Sequence, residues 1–291
     1  MKPYYRNLSS VMLLTLCIII TGKINAQDYK NQFGIYTTGI FSSLTYDMNF
    51  KGKHEAETGF GVGINYTYFF TKNFGLSLGG ELQTYKSQAY YDKLIDQYAA
   101  TDLDNHNFIF NYQTTGYKEK QHASFLYIPL NFIYETPGIT GFYMAAGAKI
   151  GFPIKSTAQT SIQNLQTYGY YPQWDATLYD PAFMGYKTEK NIELPKQDIT
   201  FKTDIAFNLE AGVKQQLNAK NSIYIGLFIA MGITNLEEAP SEKLITYHTD
   251  TPALFTYNTL VNSKLQKEDK AFISNIKTFS SGVKLAYKFN W

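Results

Sequence analysis

His122 and Ser124 stand two residues apart in the run His122-Ala123-Ser124. An imidazole next to a hydroxyl pairs a general base with a nucleophile, and in an extended chain residues two apart share a face. A serine activated in this way also needs a third group to orient the base. The adjoining stretch Lys155-Ser156-Thr157 supplies no carboxylate. The pair is an incomplete catalytic unit, better read as polar side chains at a boundary, and no enzyme is expected. Asp102-Leu103-Asp104-Asn105 places two acids at spacing two, but a calcium loop needs more ligands and a turn glycine. A solvated acidic loop is expected there, with no metal and no cofactor.

The elements that must carry these groups show a period of two, the strand pattern. Ile223, Ile225, Leu227, Ile229, Met231 and Ile233 alternate with Tyr224, Gly226, Phe228, Ala230, Gly232 and Thr234. Between 58 and 70, Phe60, Val62, Ile64, Tyr66, Tyr68 and Phe70 oppose Gly59, Gly61, Gly63, Asn65, Thr67 and Phe69. From 201 to 217, Phe201, Ile205, Phe207, Leu209, Ala211 and Val213 oppose Lys202, Asp204, Asn208, Glu210, Lys214 and Gln216. Eight strands are predicted, at 33–46, 58–70, 74–88, 122–135, 141–156, 200–217, 222–235 and 276–291, the first with ambiguous phase.

Three connections are short (71–73, 136–140, 218–221) and four are long (47–57, 89–121, 157–199, 236–275), in strict alternation. That rhythm predicts an all-β fold: an eight-stranded antiparallel up-and-down transmembrane β-barrel with short periplasmic turns and long extracellular loops. The longer strands exceed the roughly 9–11 residues that cross a bilayer with tilt. In such a barrel the apolar face meets lipid, and the lumen is just filled by side chains. By parity Glu81, Lys149, Lys202, Asp204, Glu210, Lys214, Lys284 and Lys288 point inward. Buried charge is costly unless paired, so a paired plug is expected in preference to an ion path. On the outside, Tyr168, Tyr170, Tyr171, Trp174, Tyr179, Phe183 and Tyr186 crowd one long loop. They read equally as a contact surface or as rings packed on one another.

The N-terminus reads as a leader. Lys2 and Arg6 precede the apolar run 11–20, and Ile24-Asn25-Ala26 offers a small-residue cleavage site, so 1–26 is expected to be removed and 27–291 to form the barrel domain. Cys17, the one cysteine, lies inside that run behind Leu16, which argues against lipidation. Without Lys2, Arg6 and Lys23, 23 basic side chains face 24 acidic ones. Arg6 is the only arginine, which excludes a typical nucleic-acid reader. Tyr and Phe number 25 and 21, yet mean hydropathy is −0.26, unlike a helical membrane protein.

The segments "GFGVGINYTYFFTKNFGLSLGGELQTY" (59–85), "FLYIPLNFIYE" (125–135) and "GFYMAAGAKIGFPI" (141–154) resemble the small outer-membrane β-barrel family that includes the PorT-like proteins of Gram-negative bacteria. Ile128-Pro129-Leu130 carries the resemblance most specifically, since proline seldom sits inside a central strand. The resemblance implies an outer-membrane barrel with both mature termini in the periplasm and Pro129 near a rim. It implies no reaction. The ending Tyr287, Phe289, Trp291 resembles the signal by which the outer-membrane barrel assembly machinery recognises its clients. The partners expected are that machinery, the lipid bilayer, and a protein or glycan at the long loops. The leading expectation is thus a non-enzymatic, surface-exposed binding or accessory protein. A solute or ion channel is the alternative. A third reading is a lipid A-directed hydrolase, because a His-x-Ser pair at the outer rim is similar to the active site of lipid A deacylases.

Overall fold

The computed structural model describes residues 30–291, so the expected leader, Cys17 included, lies outside the described residues. Eight long strands carry the architecture: β1 (Asn31–Met48), β2 (Phe60–Phe69), β3 (Phe74–Thr101), β4 (Asn107–Glu135), β5 (Thr140–Tyr171), β6 (Asp204–Gln216), β7 (Asn221–Gly232) and β8 (Ile273–Asn290). Each pairs antiparallel with its neighbours in sequence, β8 pairs with β1, and the circuit of hydrogen bonds returns to its start. The turns at 70–73, 136–139 and 217–220 share one end of the ring with residues 30 and 291. There Asn31 and Trp291 exchange two backbone hydrogen bonds, of 3.1 and 3.0 Å.

The strands keep the predicted alternation at that end. Phe60, Val62, Ile64, Tyr66 and Tyr68 face outward on β2, with Leu76, Leu78 and Leu82 on β3, Leu126, Ile128, Leu130 and Phe132 on β4, and Leu285 and Phe289 on β8. The phase of β1 resolves as Ile35 and Phe41 outward, Tyr36 and Thr38 inward. Close packing inside requires small residues. A Cβ on Gly63 would collide with the Tyr36 ring, which reaches across to Glu81. Pro129 does not lie near a rim. It sits in the middle of the outward-apolar run 126–134, where the β3–β4 ladder skips Gly79 and Gly80, so its missing N–H leaves no gap in a continuous ladder.

The long-loop expectation is corrected at the other end. Most of 89–121 is strand, closed by a turn at 102–106, and β5 continues to Tyr171. β3, β4 and β5 thus run 28, 29 and 32 residues, far past the apolar band. A β-bulge between Ser124 and Phe125 marks the departure on β4–β5. Further out, one residue of each strand (Asp92, Gly116, Gln163) is left out of the ladder, while register is unchanged on either side. Gly116 takes φ +62°, and a Cβ there would meet Gln163. Alternation changes phase across this row: Ala89 and Tyr91 are buried below it, Leu94, Asp96 and Tyr98 above it. Aligned irregularities of this kind re-aim side chains without breaking the sheet.

Short strands complete the outer part. Gly52–Ala56 pairs with β3, while Ala176–Leu178, Thr188–Glu193 and Gln197–Asp198 pair with β5. The segment 236–272 folds over the enclosed face. A single large apolar cluster forms there, including Tyr91, Tyr98, Phe110, Tyr112, Leu165, Tyr247 and Phe272. Phe201, expected on the lipid face with Ile205, is buried in that cluster because the strand starts only at Asp204.

Candidate functional site

In the part of the ring behind the apolar band, the enclosed face holds four carboxylates (Glu81, Glu135, Asp204, Glu210) and four ammoniums (Lys149, Lys214, Lys284, Lys288). Strand pairing sets them opposite one another. Lys149 lies 2.7 Å from Glu81, Lys284 2.7 Å from Glu210, and Lys214 2.9 Å from Glu135. Tyrosines complete the coordination: Tyr36 donates to Glu81, Tyr143 to Glu210 and Tyr224 to Glu135. Asp204 accepts from Tyr127 and Thr278 at 2.6 Å each and from Thr234 at 3.0 Å. The Lys288 ammonium lies 3.8 Å from the centroid of the Tyr224 ring. Two cavities among these groups, lined in part by Tyr36, Glu210 and Lys284, measure about 30 and 20 Å³, room for a water molecule each.

The structure thus places Glu81, Lys149, Asp204, Glu210, Lys214, Lys284 and Lys288 on the enclosed face. Lys202 is excluded: it precedes β6, is exposed, and bonds through its backbone N–H to Leu236. Its alternation with Asp204 continues in the sequence, but the strand does not reach it. Glu135 escaped sequence reasoning because it closes β4 beside a turn, although its parity with Asn131 carried the signal.

Two further buried acids serve the outer part. Glu119 accepts from Gln121, Thr160 and the backbone N–H of Leu260. Asp96 accepts from Tyr112 and from the N–H groups of Gln266 and Lys267. Both carboxylates therefore anchor 236–272 to the sheet. Tyr98 adds a third anchor, donating to Ile245 O and accepting from Tyr247 N.

At the far tip, Asp102 binds the N–H groups of Asp104 and His106 and the hydroxyl of Tyr171. Its oxygens close a turn, which accounts for the acidic motif without a metal; among the described residues no His, Cys, Asp and Glu cluster into a metal site. Burial raises the pKa of Asp102. The donors of His106, Tyr171 and Asp104 outweigh burial, leaving the carboxyl below its ordinary value.

The aromatic segment divides in two. Tyr171 and Tyr186 are fully buried and hydrogen-bonded to each other at 2.8 Å. Trp174, Leu178, Tyr179 and Phe183 are exposed, Phe183 by 65%. Trp174 is stacked on Tyr171 and edge-on to His106, and Tyr179 rests on the half-buried Tyr168. Tyr170 is also half-buried, its hydroxyl on Asp175. Of the exposed rings, Trp174 rests on the outer core through Tyr171.

His122 and Ser124 occupy the outward side of β4, just beyond the apolar band. Their cross-strand neighbours are Lys86 and Thr157 for His122, Thr84 and Lys155 for Ser124. No hydrogen bond joins the two, and the neighbours supply cations where a triad would need an acid. The arrangement does not build a nucleophile. At the C-terminus, Phe289 and Trp291 face outward, with Trp291 against Tyr66 and Tyr287 against Phe289.

No family model matches the chain, and no curated protein matches it. Among solved structures, Neisserial surface protein A aligns over 92% of this chain and all of its own, at 9% identity and a TM-score of 0.36. The outer membrane protein OprG from Pseudomonas aeruginosa aligns over 92% of this chain and 99% of its own (10%, 0.40), and Ail, the attachment invasion locus protein of Yersinia pestis, over 91% and 99% (10%, 0.30). Such values are too low to carry a role or a site from these proteins to this one.

Proposed function

We propose that this chain is a non-enzymatic integral outer-membrane β-barrel protein that presents a rigid extracellular cap to a macromolecular partner. The observation that carries the reading is the inversion of the strand faces. Near the tight turns the outside is apolar and the inside charged; beyond the bulge the outside is polar and the inside apolar. The apolar run on β2, from Phe60 to Phe70, covers about 25 Å of height at ordinary strand rise and tilt. That matches the band of a bacterial outer-membrane barrel. The tight turns then face the periplasm and the cap lies outside. The resemblance of 59–85, 125–135 and 141–154 to PorT-like barrels belongs to the same reading.

The exposed Trp174, Tyr179 and Phe183 at the tip are the contact surface in this reading, since rigid aromatics on a buried support are typical interface anchors. Conduction is not favoured, because paired charges fill the enclosed face and the two cavities described among them are water-sized. Two experiments test the proposal. A membrane-impermeant maleimide should label Leu178→Cys in intact cells, and Ala219→Cys only after permeabilisation; the reverse pattern sinks the topology. A photo-crosslinker at Phe183 should trap a stoichiometric partner that co-purifies in mild detergent, whereas one at Gln97 should not. A lone uncrosslinked barrel at both positions sinks the binding role.

A further inference from the structure

The outward face of β3–β5 just above the apolar band is charged with one sign. Leu82, Leu126, Phe152 and Ile154 are the last apolar side chains there. Next along the same face come Lys86 on β3, His122, Lys120 and Lys118 on β4, and Lys155 on β5. Register sets Lys86 directly beside His122 and Lys120 beside Gln88 and Gln159. Lys196, from the segment flanking β5, lies within electrostatic reach of His122. The acids nearest this level are Glu55 and Glu57 on one flank, Glu193 and Asp198 on the other, and Asp92 on β3 just beyond Lys118, where it accepts from the Tyr90 hydroxyl.

None of Lys86, Lys118, Lys120 and Lys155 makes an ion pair with a described residue. That separates them from Lys149, Lys214 and Lys284 inside the ring, each of which does. A cavity of about 260 Å³ opens on this face, lined by Lys118, Lys120, Gln159, Thr160, Ser161 and Glu193. Lys86 lies four positions beyond Leu82 and Lys120 six beyond Leu126, so these two stand about 10 to 15 Å above the band after allowance for tilt, while Lys155, opposite Ser124, stands about 5 Å above it. That is the level of lipid headgroups and the sugars attached to them.

We infer that this face binds the phosphate groups of an anionic glycolipid headgroup in the outer leaflet, with Lys86, Lys120 and Lys155 as its main contacts. The inference rests on the membrane reading above. Unpaired ammoniums sharing one face repel one another, and at this height the ligand that offsets the repulsion is a headgroup anion. The Gln159 and Ser161 donors in the cavity suit phosphate oxygens. Glu193 at its margin would favour a phosphate approaching from the Lys86 side.

The test is native mass spectrometry of the purified protein in phosphatidylcholine nanodiscs containing a small fraction of diphosphorylated lipid A. Wild type should retain lipid A. The K86Q/K120Q/K155Q variant should retain it about 100-fold less tightly, following the usual contribution of a surface lysine at an anionic membrane. The K86R/K120R/K155R variant should keep it, and retention should weaken with added salt. Equal retention of dephosphorylated lipid A, or unchanged retention by the glutamine variant, overturns the inference. Competition by millimolar inorganic phosphate as strong as that by lipid A overturns the headgroup assignment, leaving a free-anion site. Insertion without retained lipid A defeats this inference alone; failure to insert at all defeats the membrane reading.

Discussion

The two halves of β3–β5 are the same strands folded for opposite solvents. Behind the band, β4 turns Tyr127, Asn131 and Glu135 inward and Leu126, Ile128, Leu130 and Phe132 outward. Farther out it turns Phe108, Phe110 and Tyr112 inward, under Tyr247 and Phe255. The lower interior is therefore held by specific polar partners and the upper one by apolar burial. The lesson is that a strand's pattern reports the contrast between its two sides, not which side is the core.

This contrast can be broken most forcefully at its polar end. Glu81→Leu leaves Lys149 buried without its carboxylate and should cost about 3–5 kcal/mol. Adding Lys149→Met should recover much of that loss, as measured by urea unfolding in liposomes. A double variant no better than the single would refute pairing as the cause. At the apolar end Leu165→Ala should cost about 2–4 kcal/mol by opening a cavity. Its loss should appear as protease sensitivity of the cap, while the heat-modifiable gel shift of the lower ring stays unchanged.

The outward faces offer a matched pair. Leu78→Lys, within the band, should destabilise by about 2–4 kcal/mol. Gln97→Lys, on the outward side of the same strand beyond the bulge, should lie within about 0.5 kcal/mol of wild type. Equal effects would mean the two regions face the same medium. Gly116→Ala should cost about 1–2 kcal/mol, from the positive φ and the contact with Gln163.

The smallest effect is at the tip. Asp102 has a folded pKa below its unfolded value, so its contribution is complete above about pH 5 and is lost as pH falls through the lowered value. Acid should loosen the 102–106 turn, read as faster amide exchange there, and Asp102→Asn should remove that pH dependence.

The eight long strands were legible in the sequence, because an apolar outside and a charged inside give clean alternation. Their outer lengths were not. Around "TGYKEKQHAS" (115–124) the outward lysines and inward Glu119 and Gln121 are all polar, and the phase change at Gly116 interrupts the count. A strand buried on one side by its own cap therefore resembles a loop. For the same reason the sequence leaves Tyr171 and Tyr186 open between a contact surface and packed rings: aromatic density in a presumed loop is also what an interior looks like. The paired inward charges were readable by parity, except where an element ended, at Lys202 and Glu135.

The continuity of β3, β4 and β5 from the tight turns to the tip has a mechanical consequence. No linker separates the cap from the lower ring along these strands, and the pairing persists through the Asp92–Gly116–Gln163 row. A tug on Trp174 or Phe183 is therefore resisted in shear by rows of backbone hydrogen bonds loaded together, not peeled apart one at a time. On the proposed membrane reading the cap is a mast stepped into the bilayer: a partner gripping its tip would be held at a fixed stand-off, and force on it would reach the lower ring undamped.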